Sequence, residues 1–234
     1  MDAVRLNKYI SEAGVCSRRE ADRLIEAGRV SIDGVTAAAG TKVLPGQKVL
    51  VDGKAIKKEE ERIFLAVNKP RGIVCTAERR EKNNLIDFLN YPKKITYLGR
   101  LDKDSTGLII MTNDGDINNR MMRARSRHEK EYLVEVNRPV TDEFIQRMGA
   151  GVPILDTVTR KCFIEKTGTY TFRIILTQGL NRQIRRMCEY FEYEVKKLHR
   201  IRVMNIELGD LKPGQYRHLT PAEVAELDRL TQED

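Results

Sequence analysis

Tyr97-Leu98-Gly99-Arg100-Leu101-Asp102-Lys103-Asp104-Ser105-Thr106-Gly107-Leu108-Ile109-Ile110-Met111-Thr112-Asn113-Asp114-Gly115 is the stretch around which the chain is organised. It divides into an apolar run, a polar loop, a second apolar run and a turn. Leu108 to Met111 is continuously apolar and holds two isoleucines, the pattern of a strand buried on both faces. Asn113-Asp114-Gly115 is turn chemistry, because Asn and Gly accept positive φ. The loop between the runs gathers Arg100, Asp102, Lys103 and Asp104. A buried strand joined to such a loop sets a carboxylate at the lip of a cleft and holds it still. Taken alone, Asp102 and Asp104 are as readily explained as loop carboxylates paired with Arg100 and Lys103, since surface ion pairs are common and weak.

Outward from this stretch, composition bounds the class. A length of 234 residues is enough for one sizeable domain and a small one. With 41% hydrophobic and 32% charged residues the chain is expected to be soluble and globular, not disordered. No apolar run approaches the ~20 residues of a membrane helix. Met1-Asp2-Ala3-Val4-Arg5 lacks the apolar core of a secretory signal, so no membrane partner and a cytoplasmic location are expected. Cys16, Cys75, Cys162 and Cys188 form no CxxC pair, and the three histidines have no zinc spacing. Reduced structural thiols and no metal follow as the simplest expectation. No G-x-x-x-x-G-K or G-x-G-x-x-G loop is present, and no internal repeat. The net charge of +8 favours a polyanionic partner, nucleic acid first. Of it, +2 falls in residues 1–60 and +6 in the remainder, so both parts can touch one polyanion.

Residues 1–60 have the organisation of a separate small module, and 61–234 form the main domain. Leu6, Tyr9, Ile10 and Ala13 mark one helix face. Ser17 with Glu20 makes a capping box for a second helix that buries Ala21, Leu24 and Ile25 and ends at Gly28. Val30 and Ile32 alternate into an Asp33-Gly34 turn, and Val49-Leu50-Val51 leads to Asp52-Gly53. Lys54 to Arg62 is charged and poor in apolar residues, the composition of a linker. In the main domain, Ile63 to Val67 is a buried-strand pattern, and Asn68-Lys69-Pro70-x-Gly72 breaks it and presents Lys69. Leu85–Leu89, Asp116–Ala124, Thr141–Met148 and Pro221–Leu230 suit helices. Arg120, Arg123, Arg125, Arg127 and Lys130 crowd beside the central stretch. Lys130–Val136, Tyr170–Leu176 and Val195–Ile201 carry strand patterns, and Gly179–Cys188 opens a helix with Ile184, Met187, Cys188 and Phe191 on one face.

Five of these segments, in order, resemble the motifs of RNA pseudouridine synthases. Asn68-Lys69-Pro70-x-Gly72 is similar to the first, and Gly99-Arg100-Leu101-Asp102 with Ser105-x-Gly107-Leu108 to the catalytic one. Lys130-x-Tyr132 and the stretch around Arg182-Gln183-Ile184-Arg185-Arg186-Met187 resemble the later motifs. Leu198 matches an apolar residue that packs near the family's active site. The N-terminal module carries a separate match. Arg5-Leu6-x-Lys8-Tyr9, Ser17-Arg18-Arg19-x-Ala21 and Gly28-x-Val30-x-Ile32-x-Gly34 resemble the alpha-L (S4-like) RNA-binding motif, which grips RNA by backbone and shape. Met148 to Leu155 and Thr159 to Cys162 resemble large-subunit rRNA members of the branch that joins the two domains. The resemblance implies an α+β protein: a small alpha-L RNA-binding domain, and a catalytic domain on a mixed, largely antiparallel sheet with flanking helices.

It also implies roles. Asp102 is the catalytic carboxylate, Arg185 its paired guanidinium, and Tyr132 the ring lying against the target base. Arg5, Lys8, Arg18, Arg19, Lys69, Arg100, Arg123, Arg125, Lys130, Arg182 and Arg186 contact RNA, with Arg100 filling the space of the everted base. The partner is ribosomal RNA, 23S rRNA or a ribosome-assembly intermediate, with tRNA or small-subunit rRNA as alternatives. A monomer without cofactor is expected, because isomerising uridine imports no group and oxidises nothing. Two rivals remain on sequence alone. A non-catalytic ribosome-assembly protein would share the basic faces without needing Asp102, Tyr132 and Arg185 together. A carboxylate hydrolase would want a second acid, for which Asp104 is the candidate.

Overall fold

The fold is that of a computed structural model, which describes residues 3–57, 61–76, 78, 80–121 and 128–232. The chain divides into two compact units, residues 1–62 with 92–94, and residues 63–91 with 95–234.

In the first unit, β1 (Val4–Arg5) leads directly into α1 (Leu6–Glu12), and α2 (Arg18–Glu26) follows. The Ser17 hydroxyl accepts from the Glu20 N–H at 3.2 Å, so the capping box read from sequence starts α2 where expected. Strands β2 (Val30–Ile32), β3 (Val35–Thr36), β4 (Lys42–Val43), β5 (Val49–Val51) and β6 (Lys54–Ile56) complete it. Four of them form a sheet in the order β3-β2-β5-β6, and β4 pairs with β1. Leu6, Ile10, Ala21, Ile25, Val30 and Val49 bury its core. The segment expected as a linker instead supplies β6. Asp52 and Gly53 both take positive φ (50° and 74°), which turns the chain back so that Lys54–Ile56 pairs with β5.

The second unit is built on a nine-stranded sheet. In chain order its elements are β7 (Phe64–Lys69), α3 (Leu85–Leu89), β8 (Thr96–Leu98), β9 (Thr106–Thr112), α4 (Gly115–Met121), β10 (Lys130–Val136) and α5 (Asp142–Gly149). There follow β11 (Pro153–Ile154), β12 (Thr157–Val158), β13 (Phe163–Gly168), β14 (Thr171–Leu176), α6 (Gln183–Tyr190), β15 (Val195–Val203), β16 (Ile206–Glu207), β17 (Tyr216–His218) and α7 (Pro221–Gln232). The main path runs β13-β14-β10-β15-β9-β7-β17, with β8 on β9 and β16 on β15. Every pairing is antiparallel except β15 on β9. The sheet is therefore mixed and largely antiparallel, as the resemblance implied.

The continuous apolar runs are explained by cover on both faces. Leu65, Val67, Ile109 and Met111 join α5 and α6 side chains such as Phe144, Ile184 and Met187 in one core. Phe64, Ala66, Leu108 and Ile110 join Ile117 of α4 and Leu227 of α7 in another. At β10, β13 and β14 one face is open and carries an ion ladder. Glu131 accepts from Arg173 (3.0 Å) and Arg202 (2.7 Å), which also reach Glu165 and Glu129. Helix α4 ends at Met121 among the described residues. Ala124, placed on its inner face by the periodicity, lies outside them, as do Arg123 and Arg125.

The parallel pairing of β9 with β15 places the site. Thr106 lies opposite His199 and Gly107 opposite Arg200. Gly107 has φ of +103°, and a Cβ there would meet the Arg200 carbonyl oxygen at 2.2 Å. Only glycine permits this approach, so the glycine two residues after Ser105 fixes β15 against the loop that carries Asp102.

Candidate active site

A cleft of about 820 Å³ opens where the 99–105 loop meets β10, β15 and the start of α6. Strand alternation builds its floor. Lys130 and Tyr132 project from β10, and Leu198 and Arg200 from β15, with Tyr132 directly opposite Arg200 in register. The loop supplies the rim: Arg100, Asp102 and Ser105 all line the cleft. Among the described lining residues Asp102 is the one carboxylate. The other candidate acid, Asp104, lines a separate small depression and pairs with Arg71 at 3.7 Å.

The Asp102 carboxylate has a side-chain exposure of 31%, and Arg182 Nη1 stands 4.0 Å from it. This differs from the sequence expectation, which gave the pairing to Arg185. Helix α6 begins at Gln183, so Arg182 is its N-cap at the cleft, while Arg185 sits in the first turn and points inward. Arg185 is buried, and its Nη1 donates to the Val195 carbonyl at 3.3 Å. No ion pair within 4 Å joins it to Asp102 among the described residues. Arg182 adopts a left-handed backbone (φ 50°, ψ 35°), a strained choice for a residue with a Cβ, of order 1–3 kcal/mol. The helix is thus held in a form that delivers this guanidinium to the aspartate.

Lys69 is a second correction. It was expected to be presented to RNA, yet it is fully buried at the end of β7. Strand alternation puts it on the face of Leu65 and Val67, and Pro70 ends the strand only after it. Its ammonium donates to the carbonyls of Pro70 (2.9 Å), Ile73 (2.8 Å) and Lys103 (3.4 Å). Burial pulls its pKa below the usual lysine range, partly countered by Asp102 and Asp104. Lys69 is a brace of the Asp102 loop, not a surface contact.

The other predicted residues fall into groups. Arg100 is exposed at the cleft. Lys130 is half-buried, and its pKa is pushed down to about 8 by burial and by repulsion from Arg200. Arg186 folds back onto its own loop, donating to Asn181 O at 3.0 Å and Asn181 Oδ1 at 3.2 Å. Leu198 is buried beneath the cleft in the core shared with Tyr132. In the first unit, Arg5, Arg18 and Arg19 are exposed, and Lys8 lies 3.6 Å from Glu12.

Arg200 and Ser105, both at the cleft, were given no role from sequence. Arg200 is 2% exposed, the largest fully buried side chain among the described residues. Ser105 is 1% exposed. The signal for Arg200 was available: it alternates with Leu198 on a strand whose inner face is buried.

Comparison with known proteins bears on the same elements. The family model described as RNA pseudouridylate synthase matches residues 63–190, and that of the S4 domain matches residues 4–49. The chain is 56% identical over 230 residues to the dual-specificity RNA pseudouridine synthase RluF of Escherichia coli O6:H1, covering 97% of this chain and 79% of that one. It is 34% identical to ribosomal large subunit pseudouridine synthase B of Bacillus subtilis, covering 97% and 96%. A crystal structure of a pseudouridylate synthase superposes with a TM-score of 0.70 at 28% identity, covering 96% and 99%.

Proposed function

This chain belongs to the RNA pseudouridylate synthase family, and we propose that it isomerises a uridine of large-subunit ribosomal RNA to pseudouridine, with Asp102 as the catalytic carboxylate. The observation that carries the reading is the seating of one partly exposed carboxylate, 4.0 Å from a guanidinium, over a floor bearing Tyr132. Large-subunit RNA as substrate is supported by the similarity to a synthase named for that subunit. The relative named for dual specificity calls for a second RNA in the test, and a tRNA is the one to include. The enzyme works as a monomer in the cytoplasm, where such RNA is found.

The chemistry follows from the site. A uridine inside folded RNA must be turned out of its stack before Asp102 can reach it, at a cost of a few kcal/mol. Arg100, exposed two residues before the aspartate, fills the vacated space. The exposed cations Arg5, Arg18 and Arg19 hold the RNA by its phosphates. Tyr132 stacks against the everted uracil. Asp102, 4.0 Å from Arg182, acts on the ribose or the base as nucleophile or base. The C1′–N1 bond breaks with its electron pair on the uracil, the ring turns, C5 bonds to C1′, the C5 proton leaves and N1 gains one.

Release of tritium from ribosomal RNA labelled at uridine C5 tests the proposal. An isomerase releases label and yields pseudouridine, a binder releases none, and a hydrolase yields free uracil. Absence of release from every ribosomal RNA would reject the assignment. Equal loss by Arg100→Ala on folded RNA and on a short flexible strand would reject the role of Arg100.

A further inference from the structure

We propose that Arg200 is a second catalytic residue: its buried guanidinium, with the Ser105 hydroxyl, binds the negative charge carried by the uracil while it is detached from ribose. This rests on the isomerase reading of the cleft and names the group that meets the other end of the broken bond.

The observation is a cation sealed into the molecule without an anion. Arg200 Nε donates to the Leu108 carbonyl at 2.7 Å and Nη1 to the Arg100 carbonyl at 3.5 Å. Its Nη2 is buried and has no hydrogen-bond partner. No carboxylate pairs with it among the described residues, although the ion ladder uses every neighbouring arginine of that sheet. Burying a guanidinium without a counter-charge costs several kcal/mol. Beside the cleft, that uncompensated charge is available to an anion that enters. The Ser105 hydroxyl, buried in the wall of the same cleft, also lacks a partner. Both residues line the same cleft. The backbone of Arg200 is held against Gly107, and its Nε–H bond to the Leu108 carbonyl positions the guanidinium. Its charge is felt across the floor, since it helps lower the pKa of Lys130.

The occupant follows from which part of the substrate arrives deepest. An everted nucleotide enters base first, with its phosphates left near the strand. The ring of Tyr132, against which the base lies, is centred 6.0 Å from the Arg200 guanidinium carbon. When the C1′–N1 bond breaks, its electron pair leaves with the base, and the uracil holds one negative charge spread over N1, O2 and O4. Positive charge at C1′ is met by Asp102. Among the described residues lining the cleft, Arg200 is the buried cation that the ring's charge can meet. Bringing a ring oxygen to Nη2 needs only the side-chain adjustment usual on binding. The charge is discharged when C5 attacks C1′, the C5 proton leaves and N1 is protonated. A fixed donor aimed at developing charge needs no reorganisation during the step, and this is the arrangement that stabilises oxyanions.

The test compares two leaving groups with the full-length enzyme. Large-subunit ribosomal RNA is transcribed with uridine or with 5-fluorouridine, whose fluorine itself stabilises the detached anion and, leaving C5 no proton to lose, stops the reaction at the C5-linked fluorinated product. Single-turnover loss of the N1-linked nucleoside is followed after digestion, alongside the Kd for each RNA. On uridine, Arg200→Met is expected to slow turnover about 100-fold and Ser105→Ala about 10-fold, with Kd unchanged. On fluorouridine both losses shrink severalfold. Equal losses on the two RNAs would mean a merely structural role and overturn the proposal, as would an unchanged rate in Ser105→Ala. Should Arg200→Met fail to fold, the comparison stands on Ser105→Ala, which removes a hydroxyl that no protein group uses. If the wild-type enzyme converts neither RNA, the isomerase reading itself fails.

Discussion

On the first helices, Arg18 and Arg19 stand exposed on α2, each hydrated and free to follow a phosphate. Beneath the cleft of the catalytic unit, two cations are held instead: Lys69 is wrapped by three carbonyls and Arg200 by two. A hydrated cation contributes a salt-dependent attraction that adds to its neighbours'. A sealed cation is undamped by solvent, so it acts on geometry and on charges developing nearby. Removing the first kind should weaken binding and spare chemistry. Removing the second, or the carboxylate it serves, should do the reverse.

The sharpest separation comes from Asp102→Asn. The substitution keeps shape and removes the charge, so RNA affinity should hold within about twofold while turnover falls at least about 1000-fold, the scale of losing a principal catalytic group. Filter binding and tritium release measure the two. Residual turnover near wild type would end the assignment of Asp102.

Lys69→Met comes next. Methionine fits the volume but leaves three buried carbonyls without their shared donor. Unfolding free energy should fall by about 2–4 kcal/mol, read by chemical denaturation. Turnover should fall too, because the Lys103 carbonyl belongs to the Asp102 loop. The salt dependence of RNA binding should not change. A reduced salt slope with unchanged stability would return Lys69 to the surface class.

The double variant Arg18→Ala, Arg19→Ala probes the other class. Affinity should drop about tenfold at physiological salt and the slope of log K against log salt should shrink by about 2. Turnover at saturating RNA should be unchanged. A fall in turnover that saturation does not repair would break the division between the two surfaces.

What the sequence displayed, and what it hid, follows the same division. The runs at Ile63–Val67 and Leu108–Met111 were readable because both faces of β7 and β9 are covered, so every residue reports burial. The capping box at Ser17 and the alternation of β14 were readable because each is a local pattern. Strands β8, β16 and β17 have two or three residues and too little period to see. The errors at the site were tertiary. Lys69 precedes a proline, which marks a turn, but nothing local says that three carbonyls converge on its ammonium. The choice between Arg182 and Arg185 turned on where α6 begins, and three residues of a helix decide which guanidinium faces the aspartate. The family motif marks Arg185, whereas the left-handed N-cap that carries Arg182 leaves no signature in residue type.

Lys130 lies between the two classes and gives the smallest effect. Its folded pKa is about 8, against about 10.4 for an unfolded lysine, because burial strips its hydration and Arg200 repels it. Below pH 8 both states carry the proton and the folded state bears the full penalty. Between pH 8 and about 10.4 the unfolded chain binds more protons, so this residue's contribution to stability rises with pH. Across that window the stability of the wild type relative to Lys130→Met should climb by on the order of 1 kcal/mol. Binding RNA should restore the charge, so the complex should take up a proton at pH 8.5 that Lys130→Met does not, seen in calorimetry as a buffer-dependent heat. A flat stability difference together with no proton uptake would place Lys130 with the exposed cations, leaving Arg200 as the one cation sealed into the cleft floor.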